Sequence, residues 1–145
     1  MKRFLGIFFV FVLAGFVMAC GNTREEENDM KMNIQIGDNV LTAALVQNSS
    51  TEALIEMLSE GPVTIEMNDY AGMEKVGSLP ESLPRNDEQI NTGAGDLILY
   101  QGNSFVIYYD TNSWSLTRLG KIEDMTQQEL KDILGDGSVT AVLSL

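Results

Sequence analysis

Apolar and polar positions alternate along much of this chain, and the alternation predicts β-strands in both halves. Residues 32–36 and 63–67 follow the period of two that a strand with one buried face shows. Similar runs predict further strands at residues 40–46, 75–79, 97–100, 105–109, 116–122 and 139–145. Glycines, prolines and polar clusters interrupt these runs, so we expect a polar loop at 68–73, an irregular segment at 80–87 and a break at 93–96.

A short helix is predicted after the first two strands. Ser49 and Glu52 have the spacing of a capping box, in which two backbone amides at a helix start are satisfied reciprocally. The apolar residues that follow lie on one helical face: Ala53, Leu54, Met57 and Leu58. The Gly61–Pro62 pair ends the helix because proline cannot continue it.

A second short helix is predicted near the end of the chain. Thr126 and Glu129 form another capping box, Leu130, Ile133 and Leu134 face inward, and Gly135 is the C-terminal stop. About eight strands with two short helices indicate a mainly β fold, a closed barrel with helices over its open ends. An open α+β sheet is the structural alternative. We expect residues 32–145 to form this one domain, whose length is typical.

The N-terminal segment has the anatomy of a bacterial lipoprotein signal. Lys2 and Arg3 precede an apolar run at 4–18, which is shorter than the about 20 residues of a membrane-spanning helix. The tetrapeptide at 17–20 ends in Cys20, the only cysteine, and resembles a lipobox. We therefore expect a signal peptide at 1–19, cleavage before Cys20, and fatty acids (palmitate-type chains) attached to this residue. An ordinary signal peptide with an incidental cysteine is the alternative.

A polar tether is predicted between the anchor and the domain. Residues 20–31 begin with a stretch, 21–29, that offers nothing apolar to bury, so we expect it to be disordered. Its acidic run, Glu25 to Glu27, resembles tags that send some bacterial lipoproteins to the cell surface, although a solvated spacer explains it equally well. The expected location is the cell envelope, with the outer membrane or the cell surface as the finer possibilities.

Charge and the absence of histidine exclude several functions. The chain carries 21 acidic and 9 basic residues, and loss of Lys2 and Arg3 with the signal leaves 21 against 7, a net charge of −14. Such a charge repels nucleic acid and anionic lipid headgroups. Without histidine, the chain has no Ser-His-Asp or Cys-His nucleophile system and no Cys/His zinc site of the usual kind. We expect no metal and no cofactor.

The second half of the chain resembles the cyclophilins, and more closely the small bacterial cyclophilin-like domains. The residues that carry this resemblance lie at 69–77, 79–80, 83–84, 95–100, 101–103, 104–108 and 112–120. It implies a closed eight-stranded barrel whose interior is packed with side chains.

The resemblance also suggests prolyl isomerase activity, in which an arginine stabilises the twisted imide. The matching Arg-Phe-Gln set is missing around 64–72, Val106 stands where the family has its pocket Phe, and the pocket His has no counterpart. Trp114 roughly coincides with the pocket Trp, and Arg118 is the one weak catalytic candidate.

The aromatic and polar residues of the loops suggest a binding groove. The predicted ligand-binding residues are Tyr70, Met73, Glu74, Gln101, Tyr109, Trp114 and Arg118. The function expected is a membrane-anchored module that binds a peptide segment or a small ligand, without strong catalysis. Two alternatives stay open: a weak peptidyl-prolyl isomerase acting on exported proteins, and an accessory partner of a flavodoxin-like redox protein. The competing interpretations of these residues are solvated Glu74 and Lys75 side chains, a core position for Trp114, and an ion pair between Arg118 and one of the 21 acidic residues.

Overall fold

The computed structural model describes residues 29–145, in which nine strands and two helices follow one another. The elements are β1 Lys31–Ile36, β2 Asn39–Leu45, α1 Ser49–Ser59, β3 Val63–Tyr70, β4 Glu74–Ser78, β5 Glu88–Thr92, β6 Asp96–Tyr100, β7 Ser104–Tyr108, β8 Asn112–Ile122, α2 Gln127–Leu134 and β9 Val139–Ser144. The predicted signal peptide, Cys20 and most of the tether lie outside the described residues. Within the described part, no helix is long and apolar enough to cross a membrane.

Eight of these strands close into an antiparallel barrel, which confirms the predicted fold class. The order is β2-β1-β9-β3-β4-β7-β6-β8, and β8 pairs with β2 through residues 120–122 to complete the circle. The ninth strand, β5, lies outside the circle. It pairs with the first half of β8, where Glu88 to Thr92 oppose Leu116 to Asn112. Strand β8 therefore belongs to the barrel in its second half and forms an arm with β5 in its first half.

The barrel interior is filled with apolar side chains, and a second, smaller cluster lies on its outer wall. The interior includes residues from both helices and from all the barrel strands except β4, among them Met32, Leu54, Phe105 and Leu130. The outer cluster joins Ile98, Val106, Tyr108 and Leu116. Because alternate residues of a strand face opposite sides, strands β6 and β7 are buried on both faces. The outer wall is therefore covered at this point by the β5–β8 arm.

The helix starts are held by capping boxes, one of which is placed differently from the prediction. Helix α2 starts with the predicted Thr126–Glu129 box and ends at Gly135. Helix α1 is capped by Asn48 with Thr51, so the predicted Ser49–Glu52 box is wrong. Asn48 is the better cap because its side chain accepts from the Thr51 amide at 2.9 Å and also donates to the Arg118 carbonyl at 2.9 Å. The helix start is thereby fixed to strand β8.

Strands β3 and β8 are longer than predicted, and β5 is an additional strand. Strand β3 continues to Tyr70, so the loop predicted at 68–73 is a turn at 71–73. Strand β8 starts at Asn112, and β5 occupies residues that no pattern marked as a strand. These stretches are polar because their side chains face solvent or the outer wall, and β5 contributes only Ile90 as an apolar contact. Hydrogen bonding to neighbouring strands, which no local pattern reports, decides their structure.

Gly120 allows the barrel to close. A Cβ atom at this position would lie 2.2 Å from the backbone oxygen of Ala44 and 3.0 Å from the Cα of Leu45, both on strand β2. Neither contact can be relieved by rotating a side chain, since both atoms belong to the backbone. A glycine is therefore required where β8 meets β2.

Gly120→Ala should destabilise the protein strongly because the added methyl group forces β8 away from β2. We expect a loss of about 3 kcal/mol of unfolding free energy, at the upper end for overpacking, seen as a fall in Tm of roughly 10 °C. Thermal unfolding followed by circular dichroism measures it. Gly93→Ala is the matched control, because a Cβ there would meet no atom within 4 Å. An equal Tm for the two variants would contradict this account of closure.

Candidate functional site

A cavity of about 690 Å³ lies on the outer wall of the barrel, beside the β5–β8 arm and within the size range of small-molecule sites. Strands β3, β4, β7 and β8 contribute most of its wall through their outward-facing side chains. The lining residues are Glu66, Asn68, Asp69, Tyr70, Met73, Glu74, Val76, Gly77, Ser78, Tyr100, Gln101, Ser104, Val106, Tyr108, Asn112, Trp114 and Leu116. Val76 and Val106 pair across β4 and β7 and give the wall its apolar middle.

One end of the cavity is a row of three side chains on neighbouring strands. Tyr70 on β3 is directly opposite Glu74 on β4, which is directly opposite Tyr108 on β7. Directly paired residues project from the same face of a sheet, with Cβ atoms about 5 Å apart. Glu74 therefore stands between two tyrosines on the outer wall. Asn112 extends the row, since its side-chain nitrogen donates to the Tyr108 hydroxyl at 3.1 Å.

Glu74 is the least satisfied polar group of the cavity. Its side chain is buried, with 9% of the residue exposed, and its Oε2 atom has no hydrogen-bond partner among the described residues. Burial raises the pKa of the Glu74 carboxyl, and the nearby Asp69 carboxylate adds to the increase, while a hydrogen bond with Tyr108 opposes it. Burial, together with this same hydrogen bond, also raises the pKa of the Tyr108 phenol. The competing interpretation of Glu74 as a solvated side chain is therefore wrong.

Trp114 forms the opposite wall. It lies on the arm of β8, directly across from Ile90 of β5, and 56% of it is exposed. The competing interpretation of Trp114 as a core residue is therefore wrong. Two turns complete the rim and bring Met73 and Gln101 to the cavity. In the first, Ala71 and Gly72 both have positive φ, at 53° and 64°, so the chain reverses within a few residues after Tyr70.

The structure brings five of the seven predicted ligand-binding residues to this cavity, namely Tyr70, Met73, Glu74, Gln101 and Trp114. Tyr109 and Arg118 do not line it. Tyr109 faces the barrel interior, where its hydroxyl donates to Asp69, and Tyr108 takes its place on the outer wall. Arg118 lies further along β8, where its guanidinium is 3.0 Å from the Asp96 carboxylate. No group of metal-binding side chains is found among residues 29–145.

Comparison with known proteins is consistent with this architecture. The family model described as the cyclophilin-like family matches residues 34–144. This chain belongs to the cyclophilin-like family. A solution structure of a hypothetical protein from Archaeoglobus fulgidus shares the fold, with a TM-score of 0.54 at 12% identity over 80% of this chain and 94% of that chain. No curated protein matches the sequence.

The segments that carry the resemblance to the cyclophilin-like family surround the cavity. Residues 69–77 form the end of the β3–β4 hairpin, 101–103 form the turn between β6 and β7, and 112–120 form the arm and the closing half of β8. The side-chain-filled interior that the resemblance implied is present in the structure. The filled interior leaves no ligand tunnel through the described barrel.

Lys75 holds one side of the cavity in place, a role that the sequence did not reveal. The side chain is fully buried and points into the barrel, where its Nζ donates to Asp69 Oδ1 at 3.1 Å. It also donates to the carbonyl oxygens of Gly135 and Gly137, at 2.9 and 2.6 Å. All three protons of the ammonium group are thus used. A hydrogen bond from Tyr109, with help from Lys75, lowers the pKa of the Asp69 carboxyl. The expected solvated Lys75 is wrong.

Glu74→Gln should stabilise the folded protein at neutral pH. Because burial raises the folded-state pKa of Glu74 above its unfolded value of about 4.3, its contribution to stability is fully present below pH 4.3 and is lost as the pH rises through the folded-state pKa. Gln cannot ionise, so the free-energy difference between variant and parent should grow with pH, reaching on the order of 1 kcal/mol near pH 7.5. Urea unfolding between pH 4 and 8 measures it.

The control for this series is Glu52→Gln, which removes one carboxylate from the exposed side of α1. Its free energy of unfolding should stay within about 0.5 kcal/mol of the parent's at every pH, as for most surface substitutions. A pH-independent difference for Glu74→Gln would show that the buried carboxyl is not a stability cost.

Proposed function

We propose that this cyclophilin-like protein is a binding module whose ligand, a peptide segment or a small molecule, occupies the outer-wall cavity. The observation that supports it is the unpartnered, buried Glu74 carboxyl at the end of that cavity. Buried polar groups are normally hydrogen-bonded, and an exception needs an explanation. Binding of a ligand that supplies the missing hydrogen-bond partner would explain this exception.

The exposed aromatic residues favour binding in the same place. Tyr70 and Trp114 are 61% and 56% exposed, and both line the cavity. Large aromatic side chains with one polar end are the residues that most often anchor ligands and partners. Their position on two different strands, β3 and β8, gives the cavity two aromatic walls around a Val76–Val106 middle.

Binding without catalysis is the reading that the polar groups support. Arg118, the weak candidate for prolyl isomerase chemistry, is paired with Asp96 and lies off the cavity. No lysine or arginine among residues 29–145 lines the cavity, so no cationic donor faces a bound imide there. The domain would act by holding a ligand, and any chemistry would belong to a partner.

We further propose that the module is held at the bacterial cell envelope by lipid on Cys20, after cleavage of a signal at 1–19. The lipobox-like end of the apolar run supports this. A net charge of −12 for the whole chain excludes electrostatic attachment to anionic lipids, so acyl chains would provide the anchor. Residues 21–29 would separate the membrane from the barrel.

Tyr70→Ala should weaken ligand binding about tenfold, since an aromatic contact and its buried area contribute on the order of 1 kcal/mol. Trp114 is the only tryptophan in the sequence and lines the cavity, so its fluorescence reports binding directly. The probe is a pool of short peptides capped at both ends. Val40→Ala is the matched control, because Val40 is 60% exposed but lies away from the cavity. Absence of any fluorescence change with the folded parent would refute peptide binding at this cavity.

Cys20→Ser should abolish lipid attachment. When the full chain is produced in bacteria fed radiolabelled palmitate, the parent should carry the label and sediment with membranes, while the variant should carry none. The sequence has one cysteine, so no other thiol can take the label. Thr23→Ser, a conservative change in the tether, should behave like the parent. Label retained by Cys20→Ser would overturn the lipoprotein assignment.

A further inference from the structure

The charge of the cavity wall is entirely negative within residues 29–145. Glu66, Asp69 and Glu74 line it, and no basic side chain does. Asp69 is already engaged with Lys75 and Tyr109, and Glu66 accepts from the Thr140 hydroxyl at 2.6 Å. Among these three residues, Glu74 alone has a buried oxygen without a hydrogen-bond partner in residues 29–145. The unused acceptor therefore sits at the aromatic end of the cavity.

Tyr108 and Asn112 lie beside Glu74 on the outer wall. Asn112 donates its amide proton to the Tyr108 oxygen, which leaves the Tyr108 hydroxyl proton for its hydrogen bond with Glu74. Burial raises the pKa of the Glu74 carboxyl, and a cation bound beside it would favour the ionised form. Its other oxygen, Oε2, then needs a positively charged donor, because a buried charge is tolerated only when it is paired.

The walls around Glu74 suit an alkyl chain that ends in a cation. Tyr70 and Tyr108 flank the carboxyl in the cross-strand row, and Trp114 stands on the arm opposite. Aromatic faces attract cations, and they also cover the methylene groups that carry them. The Val76–Val106 pair extends this apolar surface along the wall.

From these contacts we infer that the cavity selects a ligand bearing an alkylammonium group, which binds Oε2 of Glu74 with its stem between Tyr70 and Trp114. This inference rests on the binding function proposed above and specifies the ligand. The same group occurs on a lysine side chain of a peptide and on a free primary amine. Lys75 illustrates the chemistry on the inner face, where a buried ammonium is held by a carboxylate and two carbonyl oxygens.

The test compares capped tripeptides Ac-Ala-Xaa-Ala-NH₂ in which the central residue is lysine, norleucine or glutamate. Norleucine keeps the alkyl stem and removes the charge, and capped ends leave the side chain as the only variable charge. The full-length protein in detergent is titrated at about 0.15 M salt, where attraction by distant charges is largely screened, and Trp114 fluorescence gives Kd. We expect the lysine peptide to bind at least tenfold more tightly than norleucine, and glutamate to bind most weakly.

Two variants test whether Glu74 causes the preference for the lysine peptide. Glu74→Gln should abolish the preference for lysine over norleucine, whereas Glu52→Gln, which removes an equal charge from α1, should keep it. n-Butylammonium, a free amine with the lysine stem, distinguishes the two sources. If n-butylammonium displaces the lysine peptide, the inference holds for free amines as well as for peptides. If it does not, the inference holds for lysine-containing peptides only.

The outcomes separate the two proposals. Equal affinity for lysine and norleucine peptides would overturn the inference while leaving the binding function standing, and would indicate a protonated Glu74 that donates to a neutral ligand. A lysine preference that persists in Glu74→Gln would overturn it as well. No binding of any peptide or of n-butylammonium by the folded protein would refute both the peptide-binding function and the inference.

Discussion

The pairing of strand β8 with strand β2 is the constraint on which both the barrel and its cavity depend. At Gly120 the two backbones approach so closely that no side chain fits between them. This contact fixes the second half of β8 in the barrel wall and directs the first half away from it, toward β5. Trp114 lies on this first half of β8, opposite Ile90 of β5. Because an eight-stranded barrel is just wide enough to be filled by its own side chains, the space beside this arm is where the fold can accommodate a ligand.

Two consecutive residues on β4 have opposite environments: one is hydrogen-bonded inside the barrel, and the other lines the outer cavity. Glu74 and Lys75 are both buried and both ionisable, but they face opposite sides of β4. The inward ammonium has three protein acceptors, so its burial is compensated and it secures the loop between α2 and β9. The outward carboxyl has an oxygen without a partner in the part of the chain that the structure describes. A group that the fold leaves unsatisfied lowers stability, and such groups are commonly kept at sites where a ligand completes them.

Alternation in the sequence was sufficient to predict the barrel but not the location of its cavity. Alternation along residues 105–109 puts Val106 and Tyr108 on one face and Ile107 and Tyr109 on the other, and the structure has this arrangement. It could not tell which face was the interior, because strands buried on both sides carry apolar residues throughout. Tyr109 was therefore assigned to the cavity in place of Tyr108. Strand β5 was missed since Ile90 is its only apolar side chain. Arg118 was misplaced because its partner, Asp96, comes from a strand distant in sequence.

Overall acidity and a single buried carboxyl act on a ligand in different ways. The charges spread over the surface attract any cation weakly, and salt screens them beyond about 8 Å at physiological strength. They increase encounter rates with basic ligands but do not distinguish one from another. A carboxylate that is nine-tenths buried between Tyr70 and Tyr108 interacts in a medium from which water is largely excluded, so its attraction is stronger and depends on geometry. In the proposed lipid-anchored state, repulsion between the acidic domain and anionic headgroups would keep the cavity away from the membrane surface. In the proposed complex, selectivity would follow from Glu74 and its neighbours and not from the remaining acidic residues.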